Sequence, residues 1–461
     1  MRTRAWACVL AAAAAWGCAS SEGSGSGESS GGSGAASGSG GAPTGGAAGA
    51  GAAAGSGGTA GSGGGAEWPN PVAPGTSDPW IATHHDQIVT MRPRVLALNF
   101  VNKRTNAEMN ALLQKITAAI AEGTRPHGDR DPSAQPFLKY EIAYSVDLRD
   151  SPPPAAWPYN NSTRYPRENP TEGQWGFDYG KLFSQEYAGY FGIEDPDQPG
   201  KKLTLCELSE KGLVHEVWVY ADADVPDAGA AEVLGIQPKY DDGFHRYSGV
   251  DLNRCAGNGC FDADDEIPSD CTRTLRIGFV NDTRGPGCFL ESISHAIEAI
   301  GRSQDIPYFT QYFPEFAGFD LKKRYGLPFD SWYACNEPKC LSYPTTSSVS
   351  WNIGGQSGVV DPYVAVCGNA HFPPNGRENY DIVNADPVKS GCRGYRTAGG
   401  PGGGDPEELV SAADWQEYAA IASDCDGPFL VWWWQQFPGP SRVAKDSNGV
   451  AMKNWWPFLY Y

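Results

Sequence analysis

Apolar residues recur at three- and four-residue intervals at Met109, Leu112, Leu113, Ile116, Ala119 and Ile120, which predicts an amphipathic helix over Asn106 to Ala121. The run from Pro93 to Val101 just before it is short and apolar, as in a buried strand. Phe137 to Leu148 alternates and is rich in aromatic and β-branched residues, predicting a second strand. Short helices are expected at Gly180 to Tyr187 and at Leu203 to Leu213, and two further core strands at His215 to Ala221 and Leu275 to Val280. A helix over Cys288 to Ile300 closes the series. Strands alternating with helices argue for an α/β, or α+β, fold: a layered mixed-sheet core containing that last helix. Beyond Gly301 periodicity fades into aromatic, Pro-rich and Cys-rich sequence that is expected to wrap the core. A helix at Pro406 to Ser423 and a flexible loop at 397–404 are its exceptions.

The N-terminus follows different rules. Arg2 and Arg4 precede an apolar run from Ala5 to Trp16, too short for a membrane span but suited to an export signal. Cys18 follows Gly17 and precedes a Ser/Gly tract, so residues 1–18 are expected to be a lipoprotein-type signal with Cys18 as the lipidated residue; an ordinary secretory signal cut after one of Ala11 to Ala15 is the alternative. Of the 48 residues from 19 to 66, 43 are Gly, Ala or Ser and none is aromatic, Ile, Leu or Val. Such a stretch cannot bury enough apolar surface to fold, and as a flexible tether it reaches about 40 Å. Residues 67–461 then form the extracytoplasmic globular domain, with a core at about 90–301 and a C-terminal wrap at about 302–461.

Charge and cysteines narrow the setting. The chain of 461 residues carries 54 acidic and 35 basic side chains, a formal charge of −19, with no basic run to offset it locally. Nucleic acid is therefore excluded as an expected partner. Ten cysteines follow the tether: Cys206, Cys255, Cys260, Cys271, Cys288, Cys335, Cys340, Cys367, Cys392 and Cys425. An even number in an exported chain predicts disulfides, although Cys255 with Cys260 and Cys335 with Cys340 also have a spacing compatible with a zinc knuckle.

The helix at Cys288 to Ile300 is the segment richest in chemistry. At about 100° per residue, Glu291, His295 and Glu298 share one face, while Phe289, Leu290, Ile293, Ile297 and Ile300 occupy the other. Imidazole with hard carboxylates at these spacings suits a divalent ion, zinc above all, with His295, Glu298 and Glu291 as ligands and Glu291 alternatively a general base. A solvated polar face is the competing reading. His371 lies in Cys367-Gly-Asn-Ala-His371-Phe-Pro-Pro-Asn-Gly376, where two prolines impose extended backbone. It suits a ligand or catalytic base, or equally a side chain bonded to a loop carbonyl; Glu378 and Asp381 follow as possible oxygen donors. His215-Glu216 begins a near miss for HExxH, but Val219 stands where the second histidine belongs and the run is a strand. Trp432, Trp433, Trp434, Trp455 and Trp456 either stack sugar rings or fill a core.

Glu216-Val217-Trp218, Glu291-Ser-Ile-Ser-His295-Ala-Ile-Glu298, Cys367-Gly-Asn-Ala-His371-Phe-Pro-Pro-Asn375, Tyr380-Asp381 and Asn454-Trp455-Trp456 together resemble an uncharacterised family of exported bacterial and fungal proteins. That family shows an EVW strand, a helix of the type ExxGHRxE, a CGNVHFPPN-like segment followed by Tyr-Asp, and a closing NWW. The resemblance implies that Glu291, His295, Glu298 and His371 are signature polar positions. It brings no established activity. Ser294 and Ala296 replace the glycine and arginine of the helix motif, and Ala221-Asp222-Ala223-Asp224 replaces a Gly-Gly-Pro run. The leading expectation is a tethered, metal-dependent, hydrolase-like domain acting on a glycan or peptide, and touching the membrane only through its lipid. The alternative is a non-catalytic surface module that binds glycan or protein through its aromatic clusters.

Overall fold

A computed structural model of the chain describes residues 65–69, 78–167, 177–222, 233–236, 271, 275–302, 306–400, 404–441 and 443–460. The export signal with Cys18, the tether as far as residue 64, and the Cys255/Cys260 pair lie outside the described residues.

Strand β1, Arg94–Asn99, is buried from Val95 onward on both of its sides. A strand without a polar face belongs in the interior of a sheet covered above and below. It pairs in parallel with β2, Glu141–Asp147, and with β3, Glu216–Ala221. Strand β4, Val233–Ile236, runs antiparallel along β5, Leu275–Asn281, which pairs in parallel with β3. The order is β2-β1-β3-β5-β4, with β2 and β4 as edges. β2 accordingly has no fully buried position. This is the α/β fold with a mixed sheet that the sequence predicts.

Helix α1, Asn106–Gly123, crosses from β1 to β2. Thr105 and Glu108 close its first turn reciprocally, each side chain accepting from the other's backbone N–H. Its apolar side, Met109, Leu113, Ile116 and Ile120, packs with helix α2, Pro286–Arg302, helix α3, Pro307–Ala317, and helix α4, Gly427–Gln435, over one face of the sheet. Alternation along each strand sends Leu96, Leu98, Val217, Val219, Ile277 and Phe279 to the opposite face. There they meet short helical turns built from Tyr179–Phe183, Gln185–Phe191 and Leu205–Glu210. A third cluster, around Trp332, Trp351, Tyr363 and Phe372, sits under the antiparallel strands Leu341–Thr345, Ser348–Ile353 and Gln356–Val360.

The C-terminal part is more ordered, and more deeply embedded, than its sequence predicts. Residues from Phe309 to Tyr460 share a core with β1 and α1. The Trp432-Trp433-Trp434 run lies on α4, a helix buried on all sides, rather than on a strand. The helix expected at Pro406 to Ser423 is replaced by a strand, Glu408–Val410, and two 3-10 turns. The helical spacing there is overridden by pairing of that strand with Val388–Ser390, and by Ser411 and Asp414 capping the turn that follows.

Among the described residues four disulfides join Cys206 to Cys271, Cys288 to Cys425, Cys335 to Cys340 and Cys367 to Cys392. The Cys335/Cys340 pair is thus a cross-link and not part of a zinc knuckle. Together they argue for an oxidising, extracytoplasmic environment. No helix among the described residues is long and apolar enough to cross a membrane.

Candidate metal centre

Two constraints fix the start of α2. The Asp424 carboxylate accepts from the backbone N–H groups of Gly285 at 2.7 Å, Gly287 at 2.9 Å and Cys288 at 3.3 Å, supplying partners that a helix N-terminus lacks within itself. The Cys288–Cys425 disulfide ties the same turn to the segment entering α4. From there Phe289, Leu290, Ile293 and Ile297 anchor the helix, with the Phe289 ring 4.8 Å from that of Trp218. Ser294, where the resembling motif has glycine, accepts a bond from the Trp434 indole at 2.9 Å. The departure from the motif therefore contributes to the core.

The polar side of α2 is not a solvated face. Glu291 and Glu298 are only 6% and 5% exposed, so each carboxylate must be satisfied by protein. The partners come from the Cys367–Asn375 segment. Cys367 is held by its disulfide and by its N–H to the Phe316 carbonyl. Gly368 has φ +83°, and a Cβ there would lie 2.1 Å from the Phe372 carbonyl oxygen, so the turn requires glycine. Asn369 accepts from the N–H groups of His371 and Phe372, and Asn375 donates to the carbonyls of Asn384 and Asp386. The turn presents the Ala370 N–H to Glu298 at 2.8 Å and aims the His371 ring at α2.

Three donor atoms then converge. His295 Nε2 and His371 Nε2 are 2.9 Å apart, His371 Nε2 is 3.2 Å from Glu291 Oε1, and His295 Nε2 is 3.9 Å from the same oxygen. Ligands about 2.0 Å from a tetrahedral centre stand about 3.3 Å apart, which the three separations bracket. This buried trio can hold a metal ion. Its two imidazole side chains are 14% and 15% exposed, so neither ring is sealed from solvent.

Glu298 takes a different place from the one its spacing predicts. Its Oε2 accepts from His295 Nδ1 at 3.0 Å, on the side of the ring away from the trio, and its carboxylate also accepts from Tyr333 at 3.0 and 3.1 Å. A carboxylate there fixes the imidazole tautomer, leaving the Nε2 lone pair directed at the trio. Burial opposes ionisation of Glu298, yet bonds from His295 and Ala370 and the nearby imidazole charge hold it below the usual carboxylate range. Glu291 is likewise held low against burial, by hydrogen bonds from His371 and Tyr380. The Tyr333 phenol is pushed well up, by burial first and then by Glu298, so it remains a donor.

Tyr380 and Tyr333 are the site residues that sequence reasoning does not find. Tyr380 donates to Glu291 Oε1 at 2.7 Å, and its oxygen is also 2.7 Å from His371 Nε2. Its only signal is the Tyr-Asp pair of the resembling motif, whereas Tyr333 has none. Glu378 and Asp381 do not join the trio: the first accepts from the Lys339 N–H and the second pairs with Arg377. Cys288 and Cys425 also lie near Glu291, but their sulfurs are bonded to each other. Glu216 accepts from Tyr140, Tyr460 and Trp218 inside the sheet region, far from the role an HExxH glutamate would have. The five tryptophans proposed as a ring platform are each no more than 2% exposed and cannot stack a sugar.

Compared with family models, with curated proteins and with solved structures, the chain matches none.

Proposed function

We propose that the protein is an exported, metal-dependent hydrolase-like domain that binds zinc through His295, His371 and Glu291 and is tethered to a membrane through lipidated Cys18. The observation that carries the reading is the convergence of two Nε2 atoms and one carboxylate oxygen, all within 4.8 Å of one another. Nitrogen and oxygen donors of this kind suit zinc, and three protein ligands leave a position for water or substrate. Held by these residues, zinc would supply Lewis acidity toward a carbonyl and toward bound water. Glu298 orients His295, the Gly368–Phe372 turn orients His371, and Glu291 serves as ligand or, alternatively, as general base. A peptide or glycan would be the substrate class. The resemblance to exported proteins with the same polar signature supports the placement outside the cytoplasm.

Metal analysis of the purified chain, repeated on His295→Ala and His371→Ala, tests the reading. About one zinc per chain in the parent and little in either variant is expected. Glu298→Gln should keep the trio but weaken affinity by roughly 10–100-fold, as loss of an orienting partner does. A parent that takes up no divalent ion, or variants with unchanged occupancy, would overturn the assignment.

A further inference from the structure

Tyr380 differs from the donors it touches in every respect that governs movement. His295 and Glu291 stand on a helix locked at its N-terminus, and the His371 turn follows a disulfide. Tyr380 lies on irregular chain, is 44% exposed, and has φ +65°, a left-handed conformation that an aromatic residue adopts only when its surroundings hold it there. Those surroundings include the site itself. Its N–H donates to the His371 carbonyl at 3.0 Å, its ring lies 4.1 Å from the His371 ring, and its hydroxyl reaches Glu291 and His371 at 2.7 Å each. The phenol oxygen is thereby placed against two of the three converging donors, on a residue that is itself half-exposed. Tyr333 provides the contrast: its phenol binds both oxygens of Glu298, the carboxylate on the far side of the His295 ring, and touches none of the three converging donors.

We propose that Tyr380 is a displaceable cap on the metal position, its phenol oxygen completing the coordination in the resting protein and swinging outward when a substrate carbonyl or carboxylate takes its place. The proposal rests on the metal-site reading above. It assigns regulation of that site to one side chain: access to the metal requires release of a strained, half-exposed tyrosine. It also implies that ligands bind in competition with Tyr380.

Copper-loaded full-length protein tests this, because a phenol oxygen bound to copper gives a visible charge-transfer absorption. The band is expected in the parent and in Tyr333→Phe, and is expected to vanish in Tyr380→Phe at equal copper content. Acetohydroxamate, a bidentate metal ligand, should bleach the parent band as it binds, and should bind Tyr380→Phe more tightly. Copper uptake without the band, a band that survives Tyr380→Phe, or a band indifferent to hydroxamate would overturn the cap and leave the metal site standing. Failure of the parent to take up copper or zinc at all would remove both.

Discussion

Asp426 is a carboxyl that the fold buries with one of its oxygens unpartnered among the described residues. It is 1% exposed, and its Oδ2 accepts no hydrogen bond among the described residues. Burial, and then the charge of Glu291, push its pKa up to about 9 from an ordinary 3.8. In the unfolded chain the group loses its proton near pH 4, whereas in the folded protein it keeps it until about pH 9. Across that window the unfolded state binds fewer protons, so this residue makes stability fall as pH rises, by up to about 4 kcal/mol at pH 7. Asp426→Asn keeps the shape and removes the titration. Urea unfolding of the metal-free protein should therefore show a higher midpoint for the variant at pH 7 and little difference at pH 4. Equal midpoints at both pH values would mean that Asp426 is solvated or paired. Nothing in the sequence marks Asp426, because its state comes from packing. Glu291, His295 and Glu298 were legible, since helical period alone puts them on one face. The role of Glu298 was not, because spacing shows which residues are neighbours but not which imidazole nitrogen each one meets.

The elements follow local pattern where local pattern decides them. Apolar period and a capping box set α1, and the runs at β1, β3 and β5 are mostly apolar and buried almost throughout, as in strands covered on both faces. The start of α2 is different. Periodicity predicts Cys288 as the first residue, whereas the helix begins at Pro286, and its cap, Asp424, is 137 residues away from Gly287. A distant carboxylate on three N–H groups of a buried terminus combines a cap with charge-assisted bonds. Asp424→Ala is expected to lower stability by about 2 kcal/mol, and Asp424→Asn by less, in denaturant titrations. Gly287→Ala should cost more, since its Cβ would stand 1.9 Å from the Asp424 carbonyl oxygen. Because the same turn aims α2 at His371, both alanine variants should also weaken metal uptake by the proposed His295, His371 and Glu291 site. Unchanged stability in Asp424→Ala would show that water replaces the cap. The α4 helix and the Glu408–Val410 strand were illegible for the same kind of reason: an all-apolar run has no polar side to report its period, and a three-residue strand exists only through its partner.

At the scale of the whole molecule the candidate site is a seam. Its helix belongs to the sheet's own layer, and its second histidine belongs to the C-terminal part, so the trio exists only while the two stay in register. Two disulfides set that register, Cys288–Cys425 at the helix and Cys367–Cys392 at the turn, while Cys206–Cys271 ties the opposite face of the sheet. Sequence indicated that the cysteines pair, but spacing could not say which pair touches the chemistry. Loop closure across the 25 residues from Cys367 to Cys392 is worth about 3 kcal/mol, and the 65-residue span of Cys206–Cys271 somewhat more. Replacing either pair with alanine should therefore cost comparable stability, yet the consequences for the site should separate. Without Cys367–Cys392 the Gly368–Phe372 turn loses its anchor, and zinc affinity measured against a chromophoric chelator should fall at least about tenfold, in line with loss of other groups that orient ligands. Without Cys206–Cys271 the affinity should stay near that of the parent under conditions where both variants remain folded by circular dichroism. Equal losses in the two variants would tie zinc binding to global stability alone. No loss in either would show that the turn's hydrogen bonds suffice to hold His371 against α2.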